Sequence, residues 1–214
     1  MSATPDSNAT AATATALQEA DEFIIRQRIT PMVNRYEVHL PVAPGSQDEG
    51  ALVAFVEQKR LKLKEEFTIF ADTQRSTPLA TVKADRALDV GASYSVTDPA
   101  GQPVGSFRKD FKASLLRSTF HLTDTEGREI IARERSLGRA LFRRIADMSD
   151  SVLGMIPVLF HFDFHTQDGE LVATVDRRAG MRDRYRVRIT PEGRALDRRV
   201  AIALAVAMDA LLAR

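Results

Sequence analysis

Apolar and polar residues alternate with period two over much of the chain between residues 22 and 189. That period sends every second side chain to one face of a β-strand, so one face is buried and the other meets water. The alternation predicts strands at Glu22–Ile29, Tyr36–Leu40, Leu52–Glu57 and Arg184–Ile189. A repeated unit supplies more. Tyr94-Ser-Val96-Thr-Asp98-x-x-Gly101 is followed by Val104 and Phe107, and Phe120-His-Leu122-Thr-Asp124-x-x-Gly127 by Ile130. Phe162-Asp-Phe164-His-Thr166-x-x-Gly169 is followed by Val172 and Val175. Each unit reads as a strand, a turn and a second strand. The Asp accepts backbone N–H groups two residues on, and the Gly supplies a positive φ. A looser copy joins Phe67-Thr-Ile69 to Leu79-Ala-Thr81-Val82. Ten to twelve short strands are expected.

The two ends break this pattern. Residues 1–17 are almost all Ala, Thr, Ser, Asn, Pro and Asp, with no basic or apolar region of a secretory signal. So polar a stretch cannot offset its ordering entropy, and residues 1–20 are expected to be a disordered tail. From Val200 to Ala213 the chain reads V-A-I-A-L-A-V-A-M-D-A-L-L-A. Ala and Leu favour helix, and an apolar surface on all sides demands burial. Fourteen residues rise about 21 Å, short of a bilayer core, so no transmembrane span is expected. Sequential hairpins leave sheet edges that closure removes. The helix in turn needs an apolar enclosure. The expected fold is mainly β (α+β): a closed antiparallel β-barrel of about 12 strands around a buried hydrophobic C-terminal helix at about 195–213. No Pro/Gly/Ser linker interrupts residues 50–214, so residues 21–214 are expected to form a single domain.

Composition narrows the chemistry. There is no cysteine among the 214 residues, which excludes disulfides, thiolate metal sites and a cysteine nucleophile. Four histidines leave little for acid–base work. The formal net charge of +1 conceals an asymmetry. Residues 1–100 hold 10 basic and 14 acidic side chains, whereas residues 101–214 hold 20 and 15. No nucleophile elbow, phosphate loop or dinucleotide fingerprint is present, so no catalytic residue, cofactor or enzymatic activity is expected. The Arg-rich segments lack interleaved aromatics for base stacking, which argues against nucleic acid.

The repeated aromatic-x-hydrophobic-x-Asp-x-x-Gly units, the run Val104-Gly-Ser-Phe107-Arg-Lys109 and the closing helix together resemble the LURP-one-related family. That family sits within the Tubby C-terminal-like group that includes the phospholipid scramblases. The resemblance covers roughly residues 22–214. It implies a twelve-stranded barrel around a hydrophobic helix, no established enzymatic activity, and kinship with branches that bind phosphoinositides or act at membranes. Two features depart from it. Leu137–Met155 looks like a helical insertion, and Asp147-Met-Ser-Asp150-Ser lacks the ligand count and turn glycine of a calcium loop.

Three constellations are candidates. Arg182, Arg184, Arg186 and Arg188 alternate with Tyr185, Val187 and Ile189. They read either as an anion-binding row of guanidinium groups or as a solvated, salt-bridged strand face. If residues 137–148 are helical, Leu137, Leu141, Ile145 and Met148 form an apolar stripe beside Arg139, Arg143 and Arg144. Such a helix packs on its own barrel, or lies in a membrane interface. His161, Asp163 and His165 share one strand face and carry the ligand types of a metal site. Their spacing of about 7 Å along the strand disfavours convergence on one ion. The leading expectation is a cytoplasmic, non-enzymatic module, peripheral at the membrane. It would dock anionic phospholipid or phosphoinositide headgroups through Arg182, Arg184, Arg186, Arg188, Arg139, Arg143 and Arg144. The alternatives are a structural or protein-interaction barrel with a partner docked on residues 137–155, and metal-dependent activity at the histidine strand.

Overall fold

The computed structural model describes residues 7–29, 33–59, 66–85, 93–110, 118–135, 161–178 and 184–212. It begins with helix α1 (Ser7–Glu19), followed by strands β1 (Glu22–Ile29), β2 (Val33–Pro41), β3 (Glu49–Lys59) and β4 (Glu66–Phe70). Next come β5 (Pro78–Ala84), β6 (Ser93–Thr97), β7 (Pro103–Lys109), β8 (Thr119–Asp124) and β9 (Glu129–Glu134). The chain ends with β10 (His161–Thr166), β11 (Leu171–Arg178), β12 (Arg184–Ile189), a 3-10 turn (Pro191–Gly193) and helix α2 (Arg198–Leu212). Each strand pairs with its sequence neighbour, and β1 pairs with β12, so twelve antiparallel strands close into a barrel. The expected architecture is present, with the helix starting at Arg198, two residues before the apolar run and a few after the expected 195.

The repeated turns work as their residues dictate. Asp98 Oδ1 accepts the N–H groups of Ala100 and Gln102 at 2.9 and 2.8 Å. Asp124 Oδ1 does the same for Glu126 and Arg128 at 3.0 and 2.9 Å. Thr166 Oγ1 accepts only from Glu170, at 3.2 Å. The carboxylate-started turns thus satisfy two backbone donors where the hydroxyl satisfies one.

Inside, Phe107, Phe120, Phe162, Phe164 and Val187 belong to one core cluster with Val200–Met208 of α2. All nine of those helical residues are buried, on every side of the helix, which only an enclosing wall achieves. The helix comes so close to β7 that a Cβ at Gly105 would lie 2.8 Å from Val200 Cγ2. Gly105 also has φ +146°, so both space and backbone call for glycine there.

The expectation of a disordered tail is corrected for Ser7–Glu19, which form α1. Alanine carries high helix propensity, but thirteen residues are marginal in isolation. Docking supplies the rest. Leu17 is fully buried in the barrel core. The Gln18 amide donates to Asp197 Oδ1 at 2.8 Å and its carbonyl accepts the Arg198 N–H at 3.2 Å. Asp197 in turn caps α2 by accepting the Arg199 N–H at 2.8 Å. The tail's composition hid one apolar side chain and one amide with partners about 180 residues away in sequence. The expected insertion at 137–155 lies outside the described residues.

A candidate anion-docking face on the barrel wall

β12 alternates as expected. Tyr185, Val187 and Ile189 enter the core, while Arg184, Arg186 and Arg188 lie on the outer face. Register sets their neighbours: Arg188 lies opposite Glu22 and Arg184 opposite Arg26 on β1, and Arg26 lies opposite Glu37 on β2. Arg35 on β2 lies opposite Glu57 on β3. Three of these four pairs join opposite charges, while the like-charged Arg26 and Arg184 both turn to Glu49. Arg184 reaches Glu49 at 3.0 Å, Arg188 reaches Glu22 at 3.2 Å and Asp176 at 3.7 Å. Arg28 meets Glu37 at 2.9 Å, and Arg35 and Arg75 both meet Glu57, at 3.0 and 2.6 Å.

The row is not uniform. Arg186 is buried beneath the β2–β3 loop, where it donates to the carbonyls of Gly45 and Ser46 and pairs with Glu22 at 2.9 Å. The expectation that it belongs to an outward anion-binding row is corrected: its donors serve a loop. Arg184 and Arg188 remain about half exposed. Arg182, Arg139, Arg143 and Arg144 lie outside the described residues, as do Leu137, Leu141 and Ile145. The sequence reading missed Arg26, Arg28 and Arg35. Their signal was available in Arg26-x-Arg28 and Arg35-x-Glu37, which share the outer parity of adjacent strands.

Depth separates the two charges on this wall. The acceptors Glu22, Glu37, Glu49, Glu57 and Asp176 have side chains only 12–16% exposed. The guanidinium groups over them, from Arg28, Arg35, Arg75, Arg184 and Arg188, are 44–55% exposed. A sunken carboxylate layer is thus topped by ion-paired arginines whose side chains stay about half exposed. Five-donor, planar groups of this kind suit phosphate oxygens.

Glu37 is central to the layer. Burial pushes its pKa up, but the Arg26 hydrogen bond and charge, Arg28 and His39 together hold it below the ordinary glutamate value of 4.5. Because the folded value is depressed, its contribution to stability is present above pH 4.5 and is lost as pH falls through the folded value. Glu37→Gln is therefore expected to flatten part of the stability loss below pH 4.5, and to lower neutral-pH stability by about 1–2 kcal/mol. Urea unfolding midpoints across that range measure both. An unchanged slope below pH 4.5 counts against this role.

The histidine strand does not assemble a metal centre. Phe162 and Phe164 are core residues and the polar three face outward. His161 Nδ1 lies 2.6 Å from Asp176 Oδ1, while Asp163 accepts two hydrogen bonds from Arg135 at 2.8 and 2.5 Å. Among the described residues no group of three His, Asp or Glu is arranged to hold a metal ion. Nor is any described helix long and apolar enough to cross a membrane.

A family model described as LURP-one-related matches residues 52–209, spanning β3 to α2. A search of curated proteins gives no match.

Proposed function

The chain belongs to the LURP-one-related family, and from that premise we propose that it is a non-enzymatic binding module that docks anionic phospholipid headgroups. Family membership and the closed barrel are consistent with a binding module. The observation that carries the lipid reading is the depth difference on the β12–β1–β2–β3 wall, where half-exposed arginines cover sunken carboxylates. Those arginines spread over three strands, which matches an extended anionic surface better than a single small ion. Each such cation contributes at most about 1 kcal/mol near an anionic leaflet, so affinity comes from their sum. Arg182, Arg139, Arg143 and Arg144 lie outside the described residues, and as cations they would add to the same attraction.

Flotation with vesicles containing or lacking anionic lipid tests this reading. Binding is expected only with anionic lipid, and it should weaken as salt shortens the Debye length. Arg184→Ala combined with Arg188→Ala should reduce partitioning by up to roughly thirtyfold. Absence of binding at low salt, or binding indifferent to both substitutions, overturns it. Among the described residues the exposed large apolar side chains are Val42, in the β2–β3 connection beside this wall, and Leu171; the protein-interaction alternative rests on residues 137–155, which lie outside the described residues.

A further inference from the structure

A second concavity lies away from the cationic wall, on the outer side of β9 and β10. It is an open groove of about 360 Å³, lined by Ile131, Arg133, Arg135, Asp163 and His165 among others. Alternation explains the lining. Ile130, Ala132 and Glu134 are the buried positions of β9, while Ile131 and Arg133 face out; the buried Glu134 also borders the groove. Arg133 lies directly opposite Asp163, and Ile131 opposite His165. Opposite charges in register normally neutralise each other. Here they do not, because both Asp163 oxygens are taken by Arg135, through its Nε and Nη2.

Two polar side chains are thereby left open. Neither Arg133 nor His165 makes an ion pair or side-chain hydrogen bond among the described residues. They sit diagonally across the strand pair, about 7–8 Å apart at the backbone, with Ile131 beside them. On the far side of His165, β11 places Leu171, one of the few exposed large apolar residues. The Arg133 guanidinium, the His165 imidazole and Arg135 thus line the groove together with the apolar Ile131.

We propose that this groove binds a small organic oxyanion, a phosphate or carboxylate monoanion carried on a short apolar body. Arg133 grips the oxyanion, His165 donates a second hydrogen bond, and Ile131 contacts the hydrocarbon. The concave shape and its volume, within the range of small-ligand sites, suit a free molecule rather than a membrane plane. This site lies on other strands than the headgroup-docking wall and adjoins it at Asp176, which stands 3.9 Å from Arg135 and 3.7 Å from Arg188.

The test uses the intact chain titrated with butyl phosphate and with inorganic phosphate, followed by NMR of the His165 ring and the arginine Nε–H groups. Saturable shifts at His165 and Arg133 are expected, with butyl phosphate binding more tightly than inorganic phosphate. Arg133→Gln should weaken butyl phosphate by roughly tenfold or more, while Arg35→Ala, on β2 of the headgroup wall, leaves it unchanged. A matching thermal midpoint for Arg133→Gln shows that the barrel is intact. The proposal falls if the shifts do not saturate, if Arg133→Gln binds like the wild type, or if both phosphates bind equally. Loss of binding in Arg35→Ala assigns the anion to the headgroup wall and also overturns it. Failure of vesicle flotation leaves this titration unaffected, so the two readings are judged separately.

Discussion

Arg198→Met is expected to destabilise the protein by about 3–5 kcal/mol, read as a drop in the urea unfolding midpoint with the m-value unchanged. Arg198 is 2% exposed at the start of α2, and its guanidinium donates to four backbone carbonyls. These are Ala20 at 2.8 Å, Gly193 at 3.4 Å, Arg194 at 3.1 Å and Leu196 at 2.6 Å. Asp21 stands 3.6 Å away. One side chain therefore ties the α1–β1 link, the 3-10 turn and the mouth of the barrel together. Burial pushes its pKa down, opposed by Asp21 and Asp197, yet a guanidinium stays charged throughout the range in which proteins fold. Methionine fills much of the volume and removes every donor, leaving buried carbonyls without their partner. Arg198→Lys restores one charge but not the fork, so an intermediate loss is expected. A Met variant within about 1 kcal/mol of wild type contradicts this account, because carbonyls orphaned in a closed interior cost more than that.

Gly193→Ala should be comparably damaging, at roughly 3 kcal/mol or more, for a different reason. A Cβ there would lie 1.9 Å from the Val172 carbonyl oxygen and 2.8 Å from its carbon. Neither atom belongs to a side chain that can swing away, and the same oxygen already accepts the Thr190 N–H at 3.0 Å. Relief requires moving either the start of β11 or the segment that leads into α2. Gly101→Ala separates this clash from ordinary backbone strain. Gly101 has φ +81° but a Cβ there would meet nothing within 4 Å, so its substitution should cost only about 1–2 kcal/mol. Equal losses in chemical denaturation of the two variants are incompatible with a packing clash at Gly193.

The barrel was readable because strand alternation and Asp-x-x-Gly turns are local signals. Val96, Phe107, Phe120, Phe164 and Val187 needed only their immediate neighbours to be assigned to the core, and all are buried. The C-terminal helix was equally plain, since an apolar surface on every side leaves few environments that tolerate it. α1 was not readable. Its order depends on Leu17 entering the core and on Gln18 meeting Asp197 and Arg198, contacts that no local window contains. The candidate site divides in the same way. Parity correctly placed Arg184, Arg186 and Arg188 on one face, but parity is silent on what lies above that face. Arg186 is covered by a loop whose carbonyls it binds, and only the three-dimensional path of residues 42–48 decides that.

Taken alone, the sequence determined which residues face inward, where the hairpins turn and that the final helix must be enclosed. Each of these follows from periodicities of two or 3.6 residues and from short-range hydrogen bonding. Tertiary structure decided which charges are neutralised. Asp163 lies opposite Arg133 yet is taken by Arg135, and Glu57 serves two arginines from different segments. An arginine extends several ångströms from its backbone, so its partner is chosen by whichever carboxylate the closed wall brings near, at whatever sequence distance. That choice, invisible to composition, left Arg133 open in a groove and set half-exposed cations above a sunken acidic layer.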